Sequence, residues 1–282
     1  MIAERDFTQQ SIIDRLAATR AAGAPIVSVT AGVGIIAKCA EVAGVDLIFV
    51  TASGRSRHLG VPTTVNIGNA TQMTLDMLPE IDNVVERTPL IAGIEATDGS
   101  RRRLSRVIDQ FIEVGFDGVT NFPTVGTFPG WGEARKDVGE GTDREFELIT
   151  AARDRGLYTV GQAYTVELAK GTADAGAHLV IARCGLTFGG RRGPEDSQTI
   201  EQAAEHVQAI VDAAKGANPE VLVLAHGGPF GTPESTDFLY AHTGVDGIHA
   251  ESGVERIPVE DYVEAEIAAF KNQSLRESAR AV

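Results

Sequence analysis

The chain has 282 residues, and its 39 acidic and 25 basic side chains give a formal charge of −14. So acidic a surface repels nucleic acid, although a few arginines focused in a pocket can still bind a small anion. No apolar run approaches the ~20 residues that span a bilayer, and segment 1–20 is too polar for a signal peptide, so we expect a cytoplasmic protein without membrane or nucleic-acid partners.

Short runs rich in Val, Ile and Ala recur along the chain, and most of them lack strict apolar–polar alternation. This pattern is typical of strands that are buried on both faces of a parallel sheet. The runs predict eight strands at 26–30, 46–51, 89–95, 118–122, 158–163, 179–184, 221–226 and 247–250.

Amphipathic segments lie before the first strand, between consecutive strands and after the last strand, which predicts helices there. They span 11–22, 34–42, 70–81, 100–114, 143–155, 166–175, 199–214, 233–242 and 259–271. Eight strand–helix repeats indicate an α/β fold, a single (β/α)8 TIM-barrel domain with an extra N-terminal helix. We place this domain at 1–282, with a core of about 26–272 and a tail at 274–282. The alternative is a doubly wound open sheet, which usually has fewer strands.

Two connections are longer than a bare turn needs, at 53–69 and 123–142. Both follow strands, so both lie on the face of a barrel where active sites form. We interpret them as substrate-facing segments or lids, because long loops in compact domains are usually functional. The alternative is that they pack on the surface or against another subunit.

Polar residues follow the seventh and eighth strands, where barrel enzymes often hold an anion with backbone N–H groups. They are His226, Gly227 and Gly228 in LAHGGPF, and Glu251, Ser252 and Gly253 in HAESGVER. His226 is the candidate acid–base residue, because imidazole titrates near neutral pH. Glu251 is a candidate to orient it or to act as a base. The alternatives are a plain strand–helix turn and a structural ion pair between Glu251 and Arg183 or Arg256.

Arg183 lies near the end of the sixth strand, where it is a candidate to bind a carboxylate with two hydrogen bonds. Cys184 alternates with it and is expected to face the other way as an inert packing residue. The second cysteine, Cys39, is far away in sequence, without the spacing of a metal site. After the fourth strand, Asn121 and Thr124 in TNFPTVG are candidates to contact a substrate oxygen or a metal-bound water.

Glu95 and Asp98 follow the third strand, and two carboxylates at this spacing can share a cation such as Mg²⁺. Equally, Asp98 can cap the following helix. Arg55, Arg57 and His58 follow the second strand, and there they would draw an anion to the mouth of the barrel. A solvated loop is the alternative for these three residues.

Several segments resemble the phosphoenolpyruvate hydrolase-like TIM-barrel family over about residues 26–271. They read AGVGIIAKCAEVAGVDLI, TPLIAGIEATD, GFDGVTNFPTVG, GLTFGG, VLAHGGPF and ESGVERIPVE. The resemblance implies a barrel in a cytoplasmic homo-oligomer. More distantly, the chain is similar to the phosphoenolpyruvate mutase and isocitrate lyase superfamily, whose enzymes act next to a 2-oxo acid with Mg²⁺.

This distant likeness implies that Ser53 and Gly54 donate backbone N–H groups to a carboxylate, that Arg183 is its counter-charge and that Glu95 binds the metal. The sequence also departs from the family. Glu95 and Asp98 replace a pair of neighbouring aspartates, and a Lys-Cys-Gly loop is missing after the fourth strand. Arg183 and Cys184 stand where the closer family has a histidine near the GLT motif.

Together these features predict a lyase or hydrolase that cleaves a C–C, C–O or P–C bond in a small 2-oxo acid or related carboxylate. Mg²⁺, or another divalent cation, would stabilise an enolate. His226 would move the proton, and Glu251 would set its tautomer. The alternatives are a metal-independent barrel enzyme that holds a phosphate between the last two strands, and a barrel that binds a ligand or assembles without catalysis.

Overall fold

The computed structural model describes residues 5–62, 67–127, 130–191, 193–194 and 198–275. Eight parallel strands pair in chain order, and the eighth pairs with the first. They are β1 (Ile26–Thr30), β2 (Leu47–Val50), β3 (Leu90–Ile94), β4 (Gly118–Asn121), β5 (Tyr158–Ala163), β6 (Leu179–Thr187), β7 (Leu222–Gly228) and β8 (Gly247–Ala250). The predicted (β/α)8 barrel is confirmed, and closure of the sheet excludes the open doubly wound alternative.

Within the described residues, twelve α-helices and one 3-10 helix (Val125–Thr127) accompany the strands. The first six α-helices are α1 (Gln9–Ala21), α2 (Gly34–Val42), α3 (Ala52–His58), α4 (Ala70–Asp82), α5 (Leu104–Glu113) and α6 (Trp131–Lys136). The other six are α7 (Thr142–Arg153), α8 (Val166–Asp174), α9 (Ile200–Ala217), α10 (Pro233–His242), α11 (Ser252–Glu255) and α12 (Ile257–Lys271).

The long connections differ from the prediction, because both contain helices. The first was expected to be a loop from residue 53, but α3 occupies 52–58, so its first part is a rigid turn of helix. The second contains the 3-10 helix and α6. Residues 63–66 and 128–129 of these connections lie outside the described residues.

Strand β6 is longer than predicted, and α5 is shorter. The pairing of β6 with β7 shifts after Arg183 and resumes at Thr187, opposite Gly228, so the strand continues past residue 184. Helix α5 begins at Leu104 instead of residue 100 because Asp98 folds the preceding residues into a turn. Its carboxylate accepts hydrogen bonds from the backbone N–H and the hydroxyl of Ser100, at 2.8 and 2.6 Å.

Helix α1 closes the amino-terminal end of the barrel. Its Ile12 and Leu16 are fully buried in a cluster formed by inward-facing strand residues. These are Ile26, Leu47, Phe49, Ile91, Tyr158, Val160, Leu179, Ile181, Leu222 and Leu224. Thr8 begins α1 with a capping box shared with Ser11, so the helix has a fixed start below the barrel.

Helix α12 has no buried residue, although its Glu260 and Glu264 bind Arg191 in the segment that follows β6. The helix that follows the eighth strand of such a barrel ordinarily belongs to the outer ring of helices. Here Val27 on β1 and Ala250 on β8 are only half-buried, which indicates that the seam between these strands is thinly covered. In the part of the chain that the structure describes, no helix is both long and apolar enough to cross a membrane.

We expect the substitution Leu16→Ala to lower the free energy of unfolding by about 2–5 kcal/mol, because it leaves a cavity under the barrel. Denaturant titration measures this change. Leu275→Ala is the matched control, since Leu275 is 76% exposed and should change stability by less than about 0.5 kcal/mol. Equal effects of the two substitutions would contradict the placement of α1.

Candidate active site

The interior of the barrel changes from apolar to polar towards the carboxyl ends of the strands. Every second residue of a strand points into the barrel. On most strands the inward-facing residue that comes after the apolar cluster is polar. These polar residues are Ser28 and Thr30 on β1, Thr120 on β4, Gln162 on β5, Arg183 on β6, His226 on β7 and His249 on β8, and all are buried. The carboxyl-terminal mouth of the barrel is therefore the place where this fold carries polar chemistry.

Glu251 lies at the centre of the mouth. Its Oε1 is 2.5 Å from Nη2 of Arg183, and its Oε2 is 3.1 Å from Nη1 of Arg57. Burial raises the pKa of the Glu251 carboxyl, but His226 and the guanidinium of Arg183 outweigh burial and hold this pKa well below its ordinary value. Glu251 is therefore an anion that fixes two arginines, which matches the ion-pair alternative drawn from the sequence.

Glu255 is a second buried carboxylate on the other side of Arg57. It accepts a short hydrogen bond from Nε of Arg57 and a 2.6 Å bond from the backbone N–H of Gly32. Nε2 of His58 lies 2.9 Å from its Oε1. Arg57 thus lies between two carboxylates. Its side chain is fully buried, yet none of the described residues accepts a hydrogen bond from its Nη2.

Arg183 is held in one orientation by neutral neighbours as well as by Glu251. Its Nε donates a 2.6 Å hydrogen bond to Oε1 of Gln162, and the Tyr164 hydroxyl is 3.4 Å from Nη1. The guanidinium also lies 4.9 Å from the centre of the Phe122 ring. The adjacent Cys184 faces outward, as predicted, and packs among the helices. Burial raises the pKa of its thiol to about 12, which argues against a nucleophilic role.

His226 and His249 turn their Nε2 atoms towards Glu251. Nδ1 of His226 is 2.9 Å from the carbonyl oxygen of His249, and Nδ1 of His249 is 2.9 Å from the Ser28 hydroxyl. The Nε2 atoms lie 3.7 Å and 3.3 Å from the Glu251 carboxylate. Burial lowers the pKa of His226 to about 3, so its ring is neutral. The carbonyl of His249, rather than Glu251, fixes the tautomer of His226.

Asn121 and Thr124 hold a buried carboxyl group instead of pointing freely into the mouth. Both donate 2.8 Å hydrogen bonds to Oε2 of Glu145 on α7, and the backbone N–H of Val125 donates to Oε1. The amide oxygen of Asn121 also accepts from the backbone N–H of Gln162. These contacts connect the end of β4 to α7 and β5. A substrate contact by Asn121 or Thr124 stays a prediction.

The residues predicted after the second strand take different positions on α3. Ser53 and Gly54 are buried, and Gly54 packs so closely on Gly32 that a Cβ at either glycine would clash with backbone atoms. Arg55 points outward and lies 3.8 Å from Glu80 on α4. Of the two arginines, Arg57 therefore reaches the mouth and Arg55 does not.

The two glycines that end β7 pack against β6. Gly227 and Gly228 both have positive φ, at 86° and 55°, and a Cβ at Gly227 would lie 2.0 Å from the carbonyl oxygen of Gly185. Gly253 similarly approaches the carbonyl of Gly231. Close backbone packing thus accounts for these glycines, and anion binding by them or by the buried Ser252 stays a prediction.

Glu95 and Asp98 lie near each other at the end of β3. Burial and the Asp98 carboxylate raise the pKa of Glu95. Burial also raises the pKa of Asp98, but hydrogen bonds from Ser100 and Asn69 outweigh burial and lower it. Because both oxygens of Asp98 accept these bonds, Asp98 stabilises the turn before α5. Metal binding by Glu95 and Asp98 stays a prediction.

Four residues at the mouth were not chosen from the sequence as candidate site residues: Glu145, Gln162, His249 and Glu255. Gln162 and His249 had a usable signal, since each is the last inward-facing residue of a buried strand. Glu145 and Glu255 are on helices, where nothing in the spacing of the sequence connects them to the strand ends.

A TIM barrel with a buried charged mouth defines the class of this protein, and comparison with known proteins gives its family. Residues 11–273 match the model of the phosphoenolpyruvate hydrolase-like family. The chain belongs to that family, as the sequence motifs implied. The ToMV susceptible protein tm-1(GCR26) of Solanum lycopersicum is 37% identical to it over 269 residues, which are 94% of this chain and 36% of the relative. The chain thus spans little more than a third of this curated relative.

Solved structures share the fold. Phosphonopyruvate hydrolase, in a complex with oxalate and Mg²⁺, superposes with a TM-score of 0.63 at 19% identity, covering 98% of this chain and 92% of that chain. Oxaloacetate acetylhydrolase, in complex with 3,3-difluorooxalacetate, superposes with a TM-score of 0.61 at 19% identity, covering 95% of this chain and 88% of that chain. At this level of identity the likeness shows the architecture, and residue roles must be argued from the chain itself.

Glu145 makes stability depend on pH. Its burial raises its pKa from 4.5 to about 7, in spite of the three hydrogen bonds that it accepts. Between these pH values the unfolded chain ionises Glu145 and the folded chain does not, so the free energy of unfolding falls as pH rises. The loss should reach about 3 kcal/mol by neutral pH and stay constant above it.

We expect Glu145→Gln to remove this contribution. Relative to the wild type, the variant should gain up to about 3 kcal/mol between about pH 5 and about pH 8, as measured by denaturant titration at each pH. Glu147→Gln, at an exposed position of the same helix, is the control and should follow the wild-type profile. Parallel profiles for wild type and Glu145→Gln would show that Glu145 ionises normally.

Proposed function

We propose that the chain is an enzyme that cleaves a C–C, C–O or P–C bond in a small 2-oxo acid or related carboxylate, bound at the mouth of the barrel. The buried Nη2 of Arg57, for which the described residues provide no acceptor, carries this proposal. A buried donor without an acceptor is costly, and a charged donor more so. A carboxylate oxygen of a bound substrate would supply the acceptor that this atom lacks.

The neighbouring contacts support an anion at this place. Nε and Nη1 of Arg57 are already bonded to Glu255 and Glu251, so the guanidinium is fixed before a ligand arrives. Such preorganisation lowers the entropy lost on binding. Arg183, fixed through Gln162 and Glu251, presents a second guanidinium to the same space. We therefore assign carboxylate binding to Arg57 and Arg183 together, and the positioning of both arginines to Glu251.

The family and the solved neighbours favour the reaction class. Two of the solved neighbours are named phosphonopyruvate hydrolase and oxaloacetate acetylhydrolase, and both names describe cleavage of a bond in a small carboxylate. Ser53, Gly54, Thr124, Ser252 and Gly253 stay predicted substrate contacts. The role of His226 in the reaction depends on the group that binds between its Nε2 atom and the Glu251 carboxylate.

A divalent cation is part of the proposal, since a solved neighbour holds oxalate together with Mg²⁺. Mg²⁺ prefers oxygen ligands and often takes one or two carboxylates, with waters and substrate completing its shell. Glu95 fits this pattern, because a cation would offset the unfavourable burial that raises the pKa of its carboxyl. Asp98 would share the ion only by giving up a bond to Ser100 or Asn69. A bound cation would polarise the substrate carbonyl.

We expect Arg57→Lys to weaken oxalate binding by roughly tenfold or more, because lysine keeps the charge but cannot present Nη2. Isothermal titration with oxalate in the presence of Mg²⁺ measures this affinity. Arg55→Lys is the matched control on the same helix and should bind oxalate as the wild type does. Equal affinities for wild type and Arg57→Lys in folded protein would overturn the role given to Arg57.

We also propose that the protein is a homo-oligomer in which a second copy covers α12. Exposed apolar residues form one stripe along this helix: Val259, Val263, Ile267 and Phe270, with Tyr262 beside them. Such a stripe is typical of a helix that packs against an apolar surface. The same chain has such an apolar surface at the thinly covered seam between β8 and β1. Helix α12 of each copy can therefore pack against this seam of the other copy.

The substitution Val263→Asp should dissociate this oligomer, because it places a charge in the apolar stripe. Light scattering during size-exclusion chromatography gives the mass in solution. Ala265→Asp adds the same charge on the opposite face of α12 and should leave the mass unchanged. A wild-type chain that is a monomer at micromolar concentration would exclude the proposed assembly.

A further inference from the structure

Two imidazoles and one carboxylate converge at the mouth of the barrel. Single ligand atoms of His226, His249 and Glu251 all lie within 4.8 Å of one another, and all three side chains are buried. The histidines lie on adjacent strands, β7 and β8, and Glu251 follows β8 directly. The strands of the barrel therefore fix the relative positions of the three groups.

The hydrogen bond of His226 decides which of its nitrogens carries the proton. A carbonyl oxygen can only accept, so Nδ1 of His226 donates to the carbonyl of His249, 2.9 Å away. In a neutral ring, Nε2 then carries a lone pair. The described residues provide no hydrogen bond to this atom, and Oε2 of the Glu251 carboxylate lies 3.7 Å from it. Two acceptors thus face each other inside the protein, an arrangement that a cation between them would stabilise.

His249 completes the arrangement. Its Nδ1 contacts the Ser28 hydroxyl at 2.9 Å, and its Nε2 lies 3.3 Å from Oε1 of Glu251. Metal-binding histidines ordinarily have the ring nitrogen that does not bind the metal fixed by a hydrogen bond of this kind. Both histidines have such an outer partner, the His249 carbonyl for one and Ser28 for the other.

We infer that His226, His249 and Glu251 form a binding site for a divalent transition-metal ion such as Zn²⁺, Co²⁺, Mn²⁺ or Fe²⁺. Two imidazoles with one carboxylate suit these ions, whereas Mg²⁺ prefers oxygen ligands. The site is separate from Glu95 and Asp98. An imidazole that binds a metal through Nε2 cannot also take a proton there, so His226 acts as a ligand and not as the proton carrier expected from the sequence.

The charges around the site determine under which conditions it binds a metal ion. The positive charges of Arg57 and Arg183 balance the negative charges of Glu251 and Glu255, so a divalent cation alone leaves two uncompensated positive charges. A dianion such as oxalate would neutralise them. This step rests on the proposed function, because it places the dianion at the two arginines. Metal and dianion should therefore strengthen each other's binding by roughly 5- to 150-fold.

Titration of the metal-free protein with Co²⁺, with and without oxalate, tests the inference. We expect one Co²⁺ per chain to show the visible absorption of a nitrogen-ligated ion, and we expect that ion to bind more tightly when oxalate is present. His226→Ala and His249→Ala should each weaken Co²⁺ binding by more than the roughly 10- to 100-fold that follows loss of an outer-shell partner. His226→Gln and His249→Asn serve in place of an alanine variant that does not fold.

His242→Ala, at an exposed histidine outside the mouth, is the control and should leave this Co²⁺ binding unchanged. Failure of Co²⁺ to bind with or without oxalate, or equal binding by the wild type and both folded histidine variants, would overturn the metal site. Oxalate binding that still depends on Arg57 would then leave the proposed function standing without this site. Loss of Co²⁺ binding in Glu95→Gln alone would instead place the ion at the end of β3.

Discussion

The carboxylate of Glu251 is the constraint on which the mouth of the barrel depends. A guanidinium loses several kcal/mol of hydration free energy when it is buried, and only a partner with good geometry offsets that cost. Glu251 does this for two arginines at once, with one oxygen on Arg183 and the other on Arg57. Because Glu255 takes the remaining Nε of Arg57, the cluster is a chain of alternating charges in which each member fixes the next.

That chain of charges needs a rigid support, which the lower half of the barrel supplies. The strands that carry Arg183 and His226 begin in the apolar cluster that α1 closes with Ile12 and Leu16. A close-packed interior resists small shifts, so the inward-facing positions above it keep their spacing. The polar residues of the mouth are thus positioned by packing several residues away, and hydrogen bonds then select their orientation.

The sequence predicted the barrel and the strand ends well because both depend on local pattern. Arg183 and His226 were found since each ends a buried run, and His249 was missed although it occupies the equivalent position on β8. The sequence could not show which of Arg55 and Arg57 reaches the mouth, because it did not reveal that both lie on a helix. Two helical residues apart, they point about 200° away from each other, so Arg55 meets Glu80 outside while Arg57 enters the mouth. Glu145 and Glu255 depend on tertiary contacts that no local spacing encodes.

The net charge of −14 also describes the surface better than it describes the site. Within the mouth, Arg57 and Arg183 balance Glu251 and Glu255, and the neutral His226 adds no charge. A neutral, buried site attracts neither a lone cation nor a lone anion strongly, because each would lose its hydration for little Coulombic gain. A cation and an anion that enter together avoid this cost, since each neutralises the other in a low-dielectric space. The chemistry of this mouth is therefore best suited to an anionic substrate that binds along with its counter-ion.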